Sequence, residues 1–132
     1  SKSKGAVAVP KRILFVDDEV DVQKVAVFRL RKAGYEVVTA VNSDEALDWI
    51  QKERFDLIFL DLRLPGISGA EICKKIKSDE NLKKTPVILF TASVRNLPLL
   101  TKEVGADDFL IKPFETEQLL EKVKNAIFKE NQ

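Results

Sequence analysis

Carboxylates, a hydroxyl and a lysine follow short apolar runs at four places in this sequence: Asp17 and Asp18, Asp61, Thr91, and Lys112. Two carboxylates about 4 Å apart repel each other by about 4 kcal/mol at an effective dielectric constant near 20, so a cluster of them needs a cation. An all-oxygen site suits Mg²⁺ better than a transition metal. A carboxylate beside Mg²⁺ and an ammonium group is a competent phosphoryl acceptor, because both cations hold the phosphoryl oxygens during in-line attack. We therefore predict that Asp61 is the acceptor and that the Thr91 hydroxyl bonds a phosphoryl oxygen.

Composition excludes several other kinds of chemistry. The chain has no histidine, which removes phosphohistidine chemistry on this chain, Ser-His and Cys-His nucleophile pairs, and nearly every common zinc site. Its single cysteine, Cys73, excludes an internal disulfide and fits a reducing cytoplasm, where we expect the protein to reside. Its 22 basic and 21 acidic residues leave a net charge of +1, which implies no general attraction to nucleic acid or to a membrane.

The apolar runs that precede these polar residues predict buried strands. The run Leu57 to Leu60 is too short for a helix and does not alternate with polar residues, which is typical of a strand buried on both faces of a parallel sheet. Similar runs recur along 132 residues and alternate with amphipathic segments, so the sequence predicts one α/β domain with five strands and five helices. Parallel strands end at the same edge of a sheet, and the polar residues should therefore converge there.

The element boundaries follow from apolar periodicity and from helix-capping residues. Strands are predicted at 13–16, 35–40, 56–60, 87–90 and 109–111, and helices to 33, from 43, from 68, over about 95–104 and over about 116–129. Ser43 and Ser68 are predicted N-caps, and Pro98 is predicted in the first turn of the fourth helix.

The first helix should bury one stripe of side chains, formed by Val22, Ala26, Leu30 and Ala33. Val20 and Val27 lie outside this stripe and are predicted to be partly exposed. They could form a docking surface for a partner, but ordinary packing explains them equally well. Cys73 is predicted to be a core residue and not a redox thiol.

Four motifs in this order resemble those of the CheY-like receiver domain of bacterial two-component response regulators. The matching motifs are Val-Asp-Asp-Glu at 16–19, Leu-Asp-Leu-Arg-Leu-Pro-Gly-Ile-Ser-Gly at 60–69, Thr-Ala at 91–92, and Gly-Ala-Asp-Asp-Phe-Leu-Ile-Lys-Pro-Phe at 105–114. The resemblance implies a flavodoxin-like, doubly wound five-stranded parallel sheet in the order 2-1-3-4-5 with five helices. It covers about residues 11–129, and we expect 1–10 to be a flexible N-terminal tail and 130–132 a C-terminal tail.

The same resemblance implies roles for individual residues. Asp61 would be phosphorylated and would bind Mg²⁺ together with the side chain of Asp18, the backbone carbonyl of Arg63 and, through water, Asp17. Lys112 would pair with the phosphoryl group, its bond to Pro113 would be cis, Thr91 would swing toward the phosphoryl group, and Phe109 would turn inward as an aromatic switch. Arg63 and Ser93 match positions that tune phosphoryl lifetime. The Arg63 side chain could reach the phosphoryl oxygens or Glu19, or could point into solvent.

The resemblance also implies partners. A sensor histidine kinase or a histidine phosphotransfer protein would donate the phosphoryl group, and an output domain or protein would bind the face formed by helix 4, strand 5 and helix 5. A homodimer through that face is one further possibility, whereas no direct nucleic-acid contact and no membrane insertion are expected. The chain would catalyse its own phosphorylation and dephosphorylation without turning over an external substrate.

Two other functions stay open from the residues. A receiver-like domain could act by protein contact without phosphorylation, although the acidic residues and Lys112 that phosphorylation needs are all in place. An aspartyl phosphatase or phosphotransferase of the haloacid-dehalogenase type would carry a second aspartate two residues after the nucleophile, where this chain has Arg63.

Overall fold

The computed structural model describes residues 9–92 and 95–128. Five strands alternate with five helices along this part of the chain. The strands are β1 (Arg12–Val16), β2 (Glu36–Ala40), β3 (Leu57–Asp61), β4 (Val87–Thr91) and β5 (Asp108–Ile111). The helices are α1 (Val20–Lys32), α2 (Ser43–Lys52), α3 (Gly69–Ser78), α4 (Leu97–Val104) and α5 (Thr116–Phe128). The predicted Ser93 and most of the predicted tails lie outside the described residues.

The five strands form one parallel sheet in the order β2-β1-β3-β4-β5, which confirms the predicted fold. The register pairs Val16 of β1 with Leu60 of β3, and Asp61 with Phe90 of β4. The carboxyl ends of β1, β3 and β4 therefore lie side by side at one edge of the sheet.

Each face of the sheet is covered by its own group of helices. Helices α1 and α5 pack on one face, where the rings of Phe15, Phe59 and Phe90 contact one another in tilted and edge-on arrangements with centroids 5.2 to 5.8 Å apart. Helices α2, α3 and α4 cover the other face. All five residues of β3 and of β4 are buried, which explains why their sequences carry no alternation. Cys73 is fully buried on α3, as predicted.

Helix α1 buries a different stripe from the predicted one. Ala26 and Leu30 are buried as expected, but Ala33 is exposed and Val22 is only half-buried. Val27 is 5% exposed, so its predicted exposure is wrong, whereas Val20 is 48% exposed as predicted. The face is rotated because Gln23 turns inward, where its side-chain amide donates to backbone carbonyl groups of β1 and β2 and of the loop after β1.

The predicted N-cap of α2 is wrong by one residue. The side chain of Asn42 caps the helix by accepting from the backbone N–H of Glu45 at 2.8 Å, and Ser43 is the first helical residue. Ser68 caps α3 by accepting from the backbone N–H of Glu71, as predicted. Pro98 lies in the first turn of α4, where its missing N–H is tolerated.

Among the described residues, none of the helices has both the length and the apolar character needed to cross a membrane.

Candidate functional site

The loop after β1 brings two acidic side chains to the carboxyl edge of the sheet. Asp17 directly follows β1 and is fully buried, and its backbone N–H donates to the carbonyl of Ala40 at 3.1 Å. Its Oδ1 accepts from the backbone N–H of Glu19 at 2.9 Å. This hydrogen bond holds the Asp17 carboxylate in place and turns the chain so that Glu19 reaches the same site.

Asp61 ends β3 at the centre of this edge. It is 3% exposed, and its Oδ1 accepts from the backbone N–H of Arg63 at 3.0 Å. The chain returns close to this position at Gly69, where a side chain would collide with the backbone carbonyl of Asp61. Glycine at 69 therefore lets α3 begin directly beside the end of β3.

Lys112 follows β5 and supplies the cation of the site. Its backbone N–H donates to the carbonyl of Thr91 at 2.9 Å, and its peptide bond to Pro113 is cis, as predicted. The Nζ atom lies 2.9 Å from Asp61 Oδ2 and 3.1 Å from both Glu19 Oε1 and Asp17 Oδ2. One ammonium group thus serves three carboxylates.

The pKa of Asp17 is raised mainly because its carboxylate is buried. Burial raises the pKa of Asp17 to about 6, the Glu19 N–H and Lys112 lower it, and the neighbouring Asp61 raises it again. For Lys112, burial lowers the pKa, but bonding to Asp61, Glu19 and Asp17 outweighs that effect, so its pKa lies above the ordinary value. The lysine therefore stays charged.

The oxygen atoms of this cluster fit a hard divalent cation. One carboxylate oxygen from each of Asp17, Glu19 and Asp61 lies within 4.8 Å of the other two. Within the described ranges, Asp17 Oδ2 is the only buried side-chain oxygen or nitrogen that forms no hydrogen bond, and it lies at ion-pair distance, 3.1 Å, from the Lys112 ammonium group. Mg²⁺ prefers oxygen donors, and this carboxylate oxygen accepts no hydrogen bond that a bound cation would have to displace.

The structure brings together some of the predicted site residues and not others. Asp17, Asp61 and Lys112 meet, and Thr91 is 2% exposed at the adjacent end of β4. Asp18 is exposed and lies outside the carboxylate cluster, whose third member is Glu19.

The remaining predicted residues lie around this edge. Arg63 is exposed, and its backbone N–H is engaged by Asp61. Phe109 is half-buried on β5, with the ammonium group of Lys122 5.4 Å from its ring centroid. Pro113 is exposed.

The roles that three residues of this region have in the structure were not predicted from the sequence. Glu19 carried a weak signal, since it is an acid next to the predicted pair. Gln23 carried a better one, because its spacing from Ala26, Val27 and Leu30 places it on the buried face of α1. Ser43 carried none, since its hydroxyl contacts Pro65 and Ile67, more than 20 residues away in sequence.

An apolar groove of about 420 Å³ lies beside the acidic cluster, between α1 and the start of α5. Val22, Val25 and Ala26 line one side, and Pro113, Phe114 and Leu119 line the other. Glu19 and Lys112 close the end of the groove that meets the cluster. Val25 is 64% exposed, so this apolar surface is open to solvent.

Comparison with known proteins agrees with this geometry. The family described as the response regulator receiver domain matches residues 13–124. The structure is similar to that of the chemotaxis response regulator CheY4 of Vibrio cholerae, with 34% identity, a TM-score of 0.83, and coverage of 89% of this chain and 99% of that one. A CheY-like receiver domain protein from Methanospirillum hungatei gives 30% identity and a TM-score of 0.86, with 93% and 98% of the two chains covered.

A third similar structure was solved with Mg²⁺ and beryllium fluoride bound. The response regulator TrrA from Thermotoga maritima, solved in complex with Mg²⁺ and BeF, is 38% identical, with a TM-score of 0.79 over 88% of this chain and 98% of that one. The match over most of the chain, the strand order and the acidic edge agree with one another. The chain therefore belongs to the CheY-like response regulator receiver domains.

Proposed function

We propose that Asp61 accepts a phosphoryl group from a phosphohistidine on a sensor histidine kinase or a histidine phosphotransfer protein, and that the domain then acts as a two-state switch. The observation that carries the proposal is the position of Asp61: a buried carboxylate at the end of the central strand, 2.9 Å from Lys112 and beside two further carboxylates. In the transfer, Asp61 Oδ2 attacks phosphorus, the P–N bond to the donor breaks, and an acyl phosphate forms.

The residues around Asp61 would prepare it for this attack. The Arg63 N–H holds Oδ1, so Oδ2 is the oxygen that faces Lys112. Lys112 would exchange its contact with the carboxylate for one with a phosphoryl oxygen, and it remains charged because its pKa is raised. The hydroxyl of Thr91 would bond a second phosphoryl oxygen.

Mg²⁺, when bound, would neutralise charge on the transferring phosphoryl group. We propose that Asp61, the backbone carbonyl of Arg63 and the side chain of Asp18 hold it directly, and that Asp17 acts through water. Asp18 would have to turn into the cluster, while Glu19 would remain on Lys112. Asp17 Oδ2 accepts no hydrogen bond and shares the single ammonium group of Lys112 with two other carboxylates, which supports a further cation at this position.

The response to phosphorylation would pass through Thr91 and Phe109 to the face formed by α4, β5 and α5. Movement of Thr91 toward the phosphoryl group would open space for the half-buried Phe109 ring. Two apolar side chains, Leu99 at 53% and Ile111 at 55% exposed, lie on these elements and would contact an output domain or a second copy. Ser93 and Arg63 would tune the lifetime of the phosphorylated state.

The donor would dock at the groove between α1 and the start of α5. This groove is apolar, open to solvent and ends at Lys112, so a helix seated in it would carry a phosphohistidine to Asp61. The chain would catalyse its own phosphorylation and dephosphorylation and would not turn over any other substrate. It would act in the cytoplasm, where the phosphohistidine of the kinase is located.

The test is the intact mass of the protein after incubation with acetyl phosphate, with and without Mg²⁺, for the wild type and Asp61→Asn. We expect one phosphoryl adduct that requires both Mg²⁺ and Asp61. If the folded wild type takes no phosphoryl group from acetyl phosphate or from a phosphorylated histidine donor, the better account is a receiver-like domain that acts by protein contact without phosphorylation.

A further inference from the structure

The loop that follows Asp61 is tied to a helix on a different part of the chain. Residues 62–68 connect β3 to α3 and include Arg63, whose carbonyl we propose as a Mg²⁺ ligand. The middle of this loop is hydrogen-bonded to Ser43, the first residue of α2. Ser43 is 2% exposed, and its hydroxyl contacts the loop instead of capping α2 as predicted.

Ser43 makes both kinds of hydrogen bond that a hydroxyl can make. Its Oγ accepts from the backbone N–H of Ile67 at 2.9 Å and donates to the carbonyl of Pro65 at 3.1 Å. Its backbone N–H donates to the same carbonyl at 3.1 Å. Ser43 thus forms hydrogen bonds to the loop on both sides of Gly66.

Gly66 shows how closely the two segments fit. Its φ of +96° lies in the left-handed region, and a side chain there would collide with the Ser43 hydroxyl. The tight turn at Gly66 and the small side chain at position 43 therefore depend on each other.

We propose that Ser43 is a positioning residue for phosphoryl transfer, because it fixes the loop that carries the Arg63 carbonyl and the Arg63 N–H bonded to Asp61. This inference rests on the proposed function and adds a residue from α2 to it. The hydroxyl never touches the reacting atoms. It holds the loop in the conformation that the metal and the nucleophile require, so that less ordering is needed when Mg²⁺ binds.

The chain offers a matched control one residue away. Asn42 caps the same end of α2 through Glu45, and nothing in the described structure connects its side chain to the loop at 62–68. Asn42→Ala removes the side-chain cap of α2, whereas Ser43→Ala removes the hydrogen bonds from the hydroxyl to the loop. Loss of either side chain is mild enough for the domain to fold.

The first measurement is amide hydrogen exchange of the metal-free protein, which involves no phosphorylation. We expect the Ile67 N–H to exchange about tenfold faster in Ser43→Ala than in the wild type, because its acceptor is gone, and to be unchanged in Asn42→Ala.

The second measurement is the affinity for Mg²⁺ alone, by calorimetric titration, together with the initial rate of phosphorylation by acetyl phosphate. In Ser43→Ala we expect Mg²⁺ affinity and the rate at sub-saturating Mg²⁺ each to fall about three- to tenfold, the equivalent of one hydrogen bond. Asn42→Ala should match the wild type in both.

Equal behaviour of the two variants, or wild-type Mg²⁺ affinity in Ser43→Ala, would overturn the assignment and leave Ser43 a structural residue. If the wild type binds Mg²⁺ but takes no phosphoryl group, the proposed function fails, while exchange at Ile67 and Mg²⁺ affinity still decide whether Ser43 positions the loop.

Discussion

The two edges of the sheet use the same residue types in opposite ways. At the amino edge, Asp107 accepts from the Val87 N–H at 2.8 Å and pairs with Lys77 at 2.9 Å, and Asp56 accepts from the Arg12 N–H at 2.8 Å. There, both carboxylates accept from a backbone N–H, as Asp17 and Asp61 do, but within the part of the chain that the structure describes Asp107 does not share its cation with other carboxylates. At the carboxyl edge, three carboxylates share one lysine, and one buried oxygen has no hydrogen bond.

We interpret the amino edge as contributing to stability and the carboxyl edge as serving the proposed function. Satisfied polar groups at strand starts hold the sheet together and leave no capacity for a ligand. An acidic cluster with one lysine costs stability, and under the proposed function a bound cation and a phosphoryl group would offset that cost. The comparison makes predictions that differ between the edges.

The largest effect is expected from removing the cation of the carboxyl edge. Lys112→Met leaves the Asp17, Glu19 and Asp61 carboxylates without a counter-charge, so the free energy of unfolding in EDTA should fall by about 3–5 kcal/mol at neutral pH. Urea unfolding measures it. Lys122→Met is the control, since its partner Asp108 is about one-third exposed, and it should cost at most about 1 kcal/mol. Equal losses in the two variants would contradict the account.

Removing the charge of Asp17 is expected to raise the free energy of unfolding, the opposite of the effect of Lys112→Met. Its pKa is raised from 3.8 to about 6, so the folded state holds a proton more tightly than the unfolded state. Ionisation of Asp17 therefore destabilises the metal-free fold as pH rises from about 4 to above 6, by at most about 3 kcal/mol.

Asp17→Asn should remove this penalty. We expect the variant to be more stable than the wild type at pH 7.5 and equally stable near pH 4, by thermal unfolding in EDTA. Asp107→Asn, at the satisfied edge, should show no stabilisation at either pH. If the wild type is as stable as Asp17→Asn at pH 7.5, ionisation of Asp17 does not destabilise the folded state, and the account is contradicted.

A smaller effect is expected from breaking the amino edge. Asp107→Ala leaves the Val87 N–H and the Lys77 ammonium without their carboxylate, at a cost of about 1–3 kcal/mol. Because this edge takes no part in the chemistry, Mg²⁺ affinity and the phosphorylation rate of the folded variant should equal those of the wild type. A loss of Mg²⁺ affinity would show that the two edges are coupled.

The smallest effect concerns the choice of metal ligand. Mg²⁺ at a tenfold excess over its Kd should stabilise the wild type by about 1.4 kcal/mol. We expect Asp18→Asn to lose this increment and Glu19→Gln to keep most of it, as measured by thermal unfolding with and without Mg²⁺. The reverse result would make Glu19, the residue already in the cluster, the direct ligand.

Local patterns predicted the alternating strands and helices and the sheet edge at which the polar residues meet, whereas the strand order was implied by the resemblance to CheY-like receiver domains. Short apolar runs, each followed by a polar residue, predict parallel strands that end together, and this places Asp61 and Lys112 at one edge. Side-chain directions are not local. Whether Asp18 or Glu19 enters the cluster depends on how the chain turns after Asp17, and the Ser43 contact depends on packing between α2 and a loop more than 20 residues away.

The most direct test of the central claim compares one aspartate from each edge. Asp61→Asn, Asp107→Asn and the wild type are incubated with acetyl phosphate and Mg²⁺, and intact mass is followed over time. The account predicts one phosphoryl adduct, formed at equal rates, in the wild type and Asp107→Asn, and none in Asp61→Asn. An adduct that persists in Asp61→Asn, or that is lost in folded Asp107→Asn, would contradict it.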